Sequence, residues 1–225
     1  MELNSGDIYE IQMEHNLGYA YAKYTWIDNG YREIQMIQFF DYFTSQPALK
    51  PNEIEKVLVK LKNAEFITNR IKIFNHPPYR GKYKSKKIGN LPITEREKKL
   101  PDFKGCRSDI LRFGIEANIP SWLLEKGDGG LQKGEYEKIK HLQTSAMDDW
   151  HSQSIRITML YLKKQGLNIE NYYKLDKVDI NLYDNINERR KYLSHLDKLE
   201  LMYFWINNTP FYYDIPVDIR EKAIE

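Results

Sequence analysis

The chain carries one cysteine, Cys106, among 225 residues, which excludes an intramolecular disulfide and any zinc site built on several cysteines. That scarcity agrees with a reducing compartment. An excess of either charge is missing too. Against 34 basic residues stand 32 acidic ones, so the formal net charge is +2 and no overall field recruits nucleic acid or an anionic membrane. There is no apolar run long enough to span a bilayer, and Met1 to Gly6 lack the basic and apolar regions of a signal segment. The expected address is therefore the cytoplasm, with no membrane partner. Repeats and low-complexity tracts are absent as well.

What is present is tyrosine. Seventeen of them dominate an aromatic content of 13%, so much of the interior carries a polar tip that needs a hydrogen-bond partner. The first strand is predicted over Gly6 to Met13, where Tyr9, Ile11 and Met13 form an apolar face and Ile8, Glu10 and Gln12 a mixed one. His15-Asn16-Leu17-Gly18 turns the chain into a second strand from Tyr19 to Ile27. Asp28-Asn29-Gly30 turns it into a third from Tyr31 to Phe40. The three make an antiparallel meander. Beyond Pro47 and Pro51, the spacing of Ile54, Val57, Leu58 and Leu61 predicts a helix, although its β-branched residues also suit a strand. Alternation over Phe66 to Phe74 predicts a further strand.

After Gly105 the pattern turns mixed and then helical. Gly127-Asp128-Gly129-Gly130 reads as a turn, without the Lys-Ser/Thr that a phosphate loop requires. A short periodic segment spans Glu135 to Leu142. One helix is expected from a cap at Thr144 or Ser145 to Lys164 and Gly166, despite strand-like alternation in Ile155 to Met159. Another is expected from Glu188 to Ile206, with Tyr192, Leu196, Leu199, Tyr203 and Ile206 on one stripe and Asn207, Asn208 and Pro210 ending it.

Catalytic chemistry finds few candidates. Asp148 and His151 stand three apart, a spacing that metal sites use, but no second histidine completes a site, and an ion pair or cap explains them as well. Arg107 beside Cys106 would favour a thiolate, whereas a small packing residue needs no such role. Arg189 and Arg190 could reach a partner carboxylate or form a solvated helix face. Asp176, Asp179, Asp184, Asp214 and Asp218 are the nearest approach to an acidic face, and suit loops and caps equally. No metal, cofactor or catalytic residue is assigned, and the chain is not expected to be an enzyme.

One tract stands out. Tyr79, Arg80, Lys82, Tyr83, Lys84, Lys86 and Lys87 combine cations with aromatics, the combination that neutralises phosphates and stacks bases on single-stranded nucleic acid. The same alternation of lysines also keeps a strand edge from pairing with a second chain. These seven residues are the candidate partner-binding set.

The opening Gly6-Asp7-Ile8-Tyr9 strand, returning through Gly18-Tyr19-Ala20-Tyr21, resembles the start of the Imm26-type immunity proteins of bacterial polymorphic toxin systems. Further along, Tyr83, Ile88-Gly89, Pro92 and Pro101-Asp102-Phe103 follow in the family's order, with Tyr83 where the family usually has tryptophan. The resemblance covers about the first hundred residues. It implies a cytoplasmic protein that binds a cognate toxin effector domain and occludes it without turnover. A nucleic-acid-binding β domain using 79–87 is the alternative. The expected architecture is α+β: a curved antiparallel sheet or small β-barrel over 1–105, with a mixed to helical region, 106–225, packed on it as one unit.

Overall fold

A computed structural model of the chain describes residues 3–28, 30, 33–74, 85–106, 122–144, 148–150, 152–175 and 198–223. The meander forms as the alternation requires. Strands β1 (Asp7–Gln12), β2 (Tyr19–Asp28) and β3 (Glu33–Thr44) pair antiparallel. The first turn places His15 and Asn16 at positive φ, and the second sets Asp28 opposite Glu33. Strands β4 (Ile71–Phe74) and β5 (Ser85–Asn90) join on either side, and a two-residue strand β9 (Asp148–Asp149) pairs with β4 in parallel, giving the order β5-β1-β2-β3-β4-β9.

This sheet is open, and the barrel alternative is not realised: β5 and β9 end the order without meeting. Other layers cover both faces instead. One face carries Tyr9, Ile11, Ala22, Tyr24, Ile37 and Phe39, and packs on α3 (Ser152–Lys164) and α4 (Lys198–Asn208) through Ile157, Met159, Leu162, Met202 and Ile206. That core mixes residues from both halves of the chain. On the other face Ile8, Tyr21, Phe40 and Ile88 meet Val57 and Leu61 of α1 (Pro51–Leu61). Burying each of those two side chains is worth roughly 1.5–3 kcal/mol. Pro51 opens α1 in its first turn, and Glu53 accepts the backbone N–H groups of Leu49 and Lys50, both at 3.0 Å, so the helical reading of this segment holds.

Several boundaries differ from expectation. Only Ile71–Phe74 of the strand predicted from Phe66 is regular. Phe66 keeps a single bridge to Phe40, and the Thr68 hydroxyl accepts the Phe39 N–H at 3.1 Å where a ladder bond would stand. The helix expected from residue 144 or 145 begins at Ser152. The residues before it extend sheet β4–β9, and Trp150 fills the core 5.1 Å from Tyr9. Helix α4 runs through Asn207 and Asn208, while 188–197 lie outside the described residues. Lys163 of α3 caps its end by donating to the carbonyls of Ile206 and Thr209, at 2.8 and 3.0 Å.

The second half also holds a sheet that periodicity did not reveal. Strands β6 (Phe103–Cys106), β7 (Trp122–Glu125) and β8 (Leu131–Gly134) form an antiparallel three-stranded sheet, with Gly127–Gly130 as the β7–β8 turn. Helix α2 (Tyr136–Ile139) follows it. Four-residue strands give too little alternation to be read against a helical background.

Candidate partner-binding site

Three cations on or beside the main sheet select where the second layer sits. Lys23 on β2 lies 2.8 Å from Glu97, Lys72 on β4 lies 2.7 Å from Glu125 on β7, and Arg70 lies 2.9 Å from Glu221. The carboxylates come from three separate segments. Taking such charges out of water is costly unless further hydrogen bonds complete them. Here Lys23 also donates to the Pro92 carbonyl at 2.8 Å, and Arg70 to the carbonyl of Glu97 at 3.0 Å. The Lys72 ammonium sits 4.1 Å over the ring of Phe103, which is buried with Ile34 and Met36.

These pins stand the segment 98–102 between the β7–β8 turn and the C-terminal stretch 217–223. Asp102 ties all three together. Its carboxylate accepts the N–H of Gly127 at 2.9 Å and of Ala223 at 3.3 Å, while its own N–H donates to the Glu221 carbonyl at 3.0 Å. The turn comes so close that a Cβ on Gly127 would lie 2.1 Å from the Leu100 carbonyl oxygen, so no side chain fits there. His141 holds the C-terminal stretch from below, its Nε2 donating to the Lys222 carbonyl at 2.7 Å; burial pushes its pKa down.

Two adjoining clefts result. One, of about 570 Å³, has Ile27, Leu100, Leu124 and Ala223 for its apolar lining, with Lys98, Lys99, Lys126 and Lys222 and the carboxylates of Asp28, Asp102 and Asp128 around it. The other, of about 480 Å³, shares Lys99, Leu100, Asp102 and Lys222 and reaches Arg96, Val217 and Glu221. Lys98 is engaged by Glu95, and Arg96 by Glu221 at 3.1 Å. Lys99, Lys126 and Lys222 have no carboxylate within ion-pair distance among the described residues.

Behind this layer lies Lys104 on β6, fully buried, its ammonium donating to the Lys140 carbonyl and to Thr209 Oγ1 at 3.2 Å. Burial lowers its pKa to about 7. An amine that loses its proton near neutrality is a common nucleophile. Here it is closed in by backbone and by Trp205, 5.2 Å away, and lines neither cleft, so its role is to fasten β6 to α2 and α4.

Of the sequence-predicted set, Tyr79, Arg80, Lys82, Tyr83 and Lys84 lie outside the described residues. Lys86 and Lys87 lie on β5 and are engaged within the fold. Lys86 donates to the Ala48 carbonyl at 3.1 Å, and Lys87 is 2.7 Å from Asp7. Asp214 and Asp218 are exposed and well separated in role, one in a 3₁₀ turn and the other beside the second cleft; Asp176, Asp179, Asp184, Arg189, Arg190 and His151 lie outside the described residues. Cys106 ends β6. Among the described residues no group of three or more His, Cys, Asp or Glu could hold a metal, and no helix is long and apolar enough to cross a membrane.

Sequence reading did not find the clefts. The basic run Arg96, Lys98, Lys99 beside Pro101-Asp102-Phe103 was the available signal, but Lys126 and Lys222 join it only through the fold. No family model, no curated protein and no solved structure matches this chain.

Proposed function

We propose that this is an immunity protein, which binds the effector domain of a cognate bacterial toxin and neutralises it by covering it, without turnover. The observation that carries the reading is how the residues of the Imm26-type resemblance meet in space. Ile8 stands opposite Gly89 and Asp7 opposite Asn90 across β1 and β5. Buried Asp7 binds Lys87 at 2.7 Å and Asn90 at 3.0 Å, and the Gly6 carbonyl accepts the Leu91 N–H at 2.8 Å. Pro101-Asp102-Phe103 then starts the second layer. Asp7, Ile8 and Gly89, which carry part of that resemblance, therefore lie together where β1 meets the edge strand β5, and this supports reading them as scaffold. Function has to be argued from the surface that such a scaffold presents. An inhibitor that acts by occlusion needs a rigid surface with places for partner side chains, and the clefts at Leu100 supply one.

The test is co-expression with the toxin encoded beside this gene. Cells making the toxin survive only when this protein is present, and the two purified chains elute as one complex. Loss of viability with every neighbouring toxin, despite soluble expression of this chain, overturns the proposal.

A further inference from the structure

We infer that His141 is an acid-sensitive latch on the stretch 217–223: the neutral imidazole holds that strap closed, and its protonation releases the strap, taking one wall from both clefts. The latch works whatever partner the clefts receive. The strap contains neither helix nor strand and is sewn down by polar groups from distant segments. Besides the His141 bond to the Lys222 carbonyl at 2.7 Å, Asn69 donates to the Arg220 carbonyl at 2.6 Å and the Asp102 N–H to the Glu221 carbonyl at 3.0 Å. Arg70 and Arg96 hold the Glu221 carboxylate. Apolar burial adds little: among the described residues of the strap only Ala223 packs on an apolar cluster, and Val217 is 66% exposed. A segment held by a few polar bonds opens at low free energy, without the sheets unfolding. Lys222 and Ala223 line the first cleft, and Val217, Asp218, Glu221 and Lys222 the second, so release of the strap opens both.

The ring stands where a positive charge is poorly placed. It is buried, which disfavours the charged form. From β6 the fully buried Lys104 brings its ammonium to the Lys140 carbonyl, the peptide unit directly before His141. Lys163 of α3 adds a cation on the Thr209 carbonyl, beside the Thr209 hydroxyl that Lys104 uses. Arg70 enters next to Asn69 and pairs with Glu221, Arg220 turns to the carbonyls of Ile215 and Tyr213, Lys140 pairs with Glu137, and Lys222 is exposed. Among the carboxylates, Asp102 favours a charged ring, but less strongly than Lys104 opposes it. Glu221 lies between Arg70 and Arg96, Asp214 favours the charge of Lys163, and Asp218 is exposed. No carboxylate stands within ion-pair distance of His141 or Lys104 among the described residues. Burial outweighs the carbonyls of Lys222 and Ile219, which favour the imidazolium, and the pKa lies below 6.5. The closed strap therefore holds the proton less tightly than the open one, where water reaches the ring. Closure is fully stable above pH 6.5 and weakens as the pH falls from there through the lowered value.

The test is hydrogen exchange of the full chain, read by mass spectrometry at about pH 7.5 and about pH 5.5, with labelling times scaled for the intrinsic rate at each pH. The amides of Ile219, Lys222 and Ala223 are hydrogen-bonded in the closed strap. They are expected to lose protection by about threefold or more at the lower pH, while peptides from β2 and α1 change by less than about twofold. His141→Gln, whose amide still donates to the Lys222 carbonyl but does not titrate, keeps strap protection within about twofold over the same range. Equal protection of the wild-type strap at both pH values overturns the latch. So does an equal acid loss in His141→Gln, or a loss that the β2 and α1 peptides share. A second measurement needs no variant to fold. In a proton NMR titration of the wild type, the His141 ring has its midpoint below 6.5, and the Lys222 and Ala223 amides shift with the same midpoint. A midpoint at or above 6.5, or amides that do not follow the ring, overturns the inference.

Discussion

Arg70 and Glu221, 151 positions apart in the chain, meet at 2.9 Å in the layer between the main sheet and the segments that cover it. Arg70 is 1% exposed and also donates to the carbonyls of Glu97 and Arg96, so the guanidinium gathers two segments at once. The adjoining cleft stands on this pair.

Removing one partner leaves the other charge buried and unmatched. Glu221→Ala is expected to lower stability by about 3–5 kcal/mol in urea unfolding. Arg70→Met with Glu221→Leu should cost clearly less than the sum of the two single changes, because neither orphaned charge remains. Additive losses would show that the pair is not coupled.

Lys104 makes stability depend on pH in a defined direction. Its folded pKa, about 7, lies below the unfolded value of 10.5, so between these the unfolded chain binds the extra proton and stability rises with pH. Below pH 7 the buried charge is carried in both states and its cost is fully present. Lys104→Met lacks this dependence. It should compare best with wild type near pH 6 and lose ground towards pH 10, by up to about 1.4 kcal/mol per pH unit, in denaturant melts of both proteins.

Glu10 works in the opposite sense. Burial raises its pKa above 4.5, although Ala48, Tyr21 and Lys86 favour the carboxylate. The folded protein thus holds the proton more tightly than the unfolded chain, and this group's contribution is best at low pH and declines as pH rises from about 4.5 through the raised value. Its carboxylate accepts the Ala48 N–H at 2.7 Å and the Tyr21 hydroxyl at 3.2 Å. Glu10→Ala leaves the buried Ala48 N–H unpaired, while the Tyr21 hydroxyl keeps Thr44 Oγ1 at 2.8 Å, and is expected to cost about 1–3 kcal/mol. Glu10→Gln, whose carbonyl still accepts, should cost less and flatten the acid limb of the stability profile.

Gly6 sits at φ +93°, and a Cβ there would lie 2.3 Å from the Leu91 carbonyl oxygen that neighbours its own hydrogen bond. Gly6→Ala is expected to cost more than about 2 kcal/mol, because the left-handed strain of 1–2 kcal/mol adds to a backbone clash. Gly30→Ala, at φ +82° in open space, should show the strain alone. Equal melting temperatures for the two variants would remove the clash from the account.

The meander was legible because alternation and turn chemistry are local. Tyr9, Ile11 and Met13 do face one core, and the chain does reverse at His15-Asn16-Leu17-Gly18 and between Asp28 and Glu33. Helix α1 was legible from four apolar positions, but its start at Pro51 was not, because the proline read as an interruption before the helix. The strand β9 was not, since two residues carry no period and Asp148–Asp149 pair only because β4 offers an edge. Among the candidate binding residues, Lys86 and Lys87 were visible as cations, but nothing local shows that Ala48 and Asp7 engage them.

By itself the sequence determined the α+β class, the first hairpins, the helical reading of Glu53 to Leu61 and the resemblance that motivates an immunity role, all from patterns within a dozen residues or from the order of motifs. Tertiary structure alone decided that the sheet stays open, that Lys23, Arg70 and Lys72 each take a carboxylate from a different segment, and that Lys99, Lys126 and Lys222 share one cleft with Asp28, Asp102 and Asp128. The reason is physical. Local pattern fixes which face of an element is apolar, but the pairing of buried charges depends on which distant segments the packed layers bring within hydrogen-bonding distance.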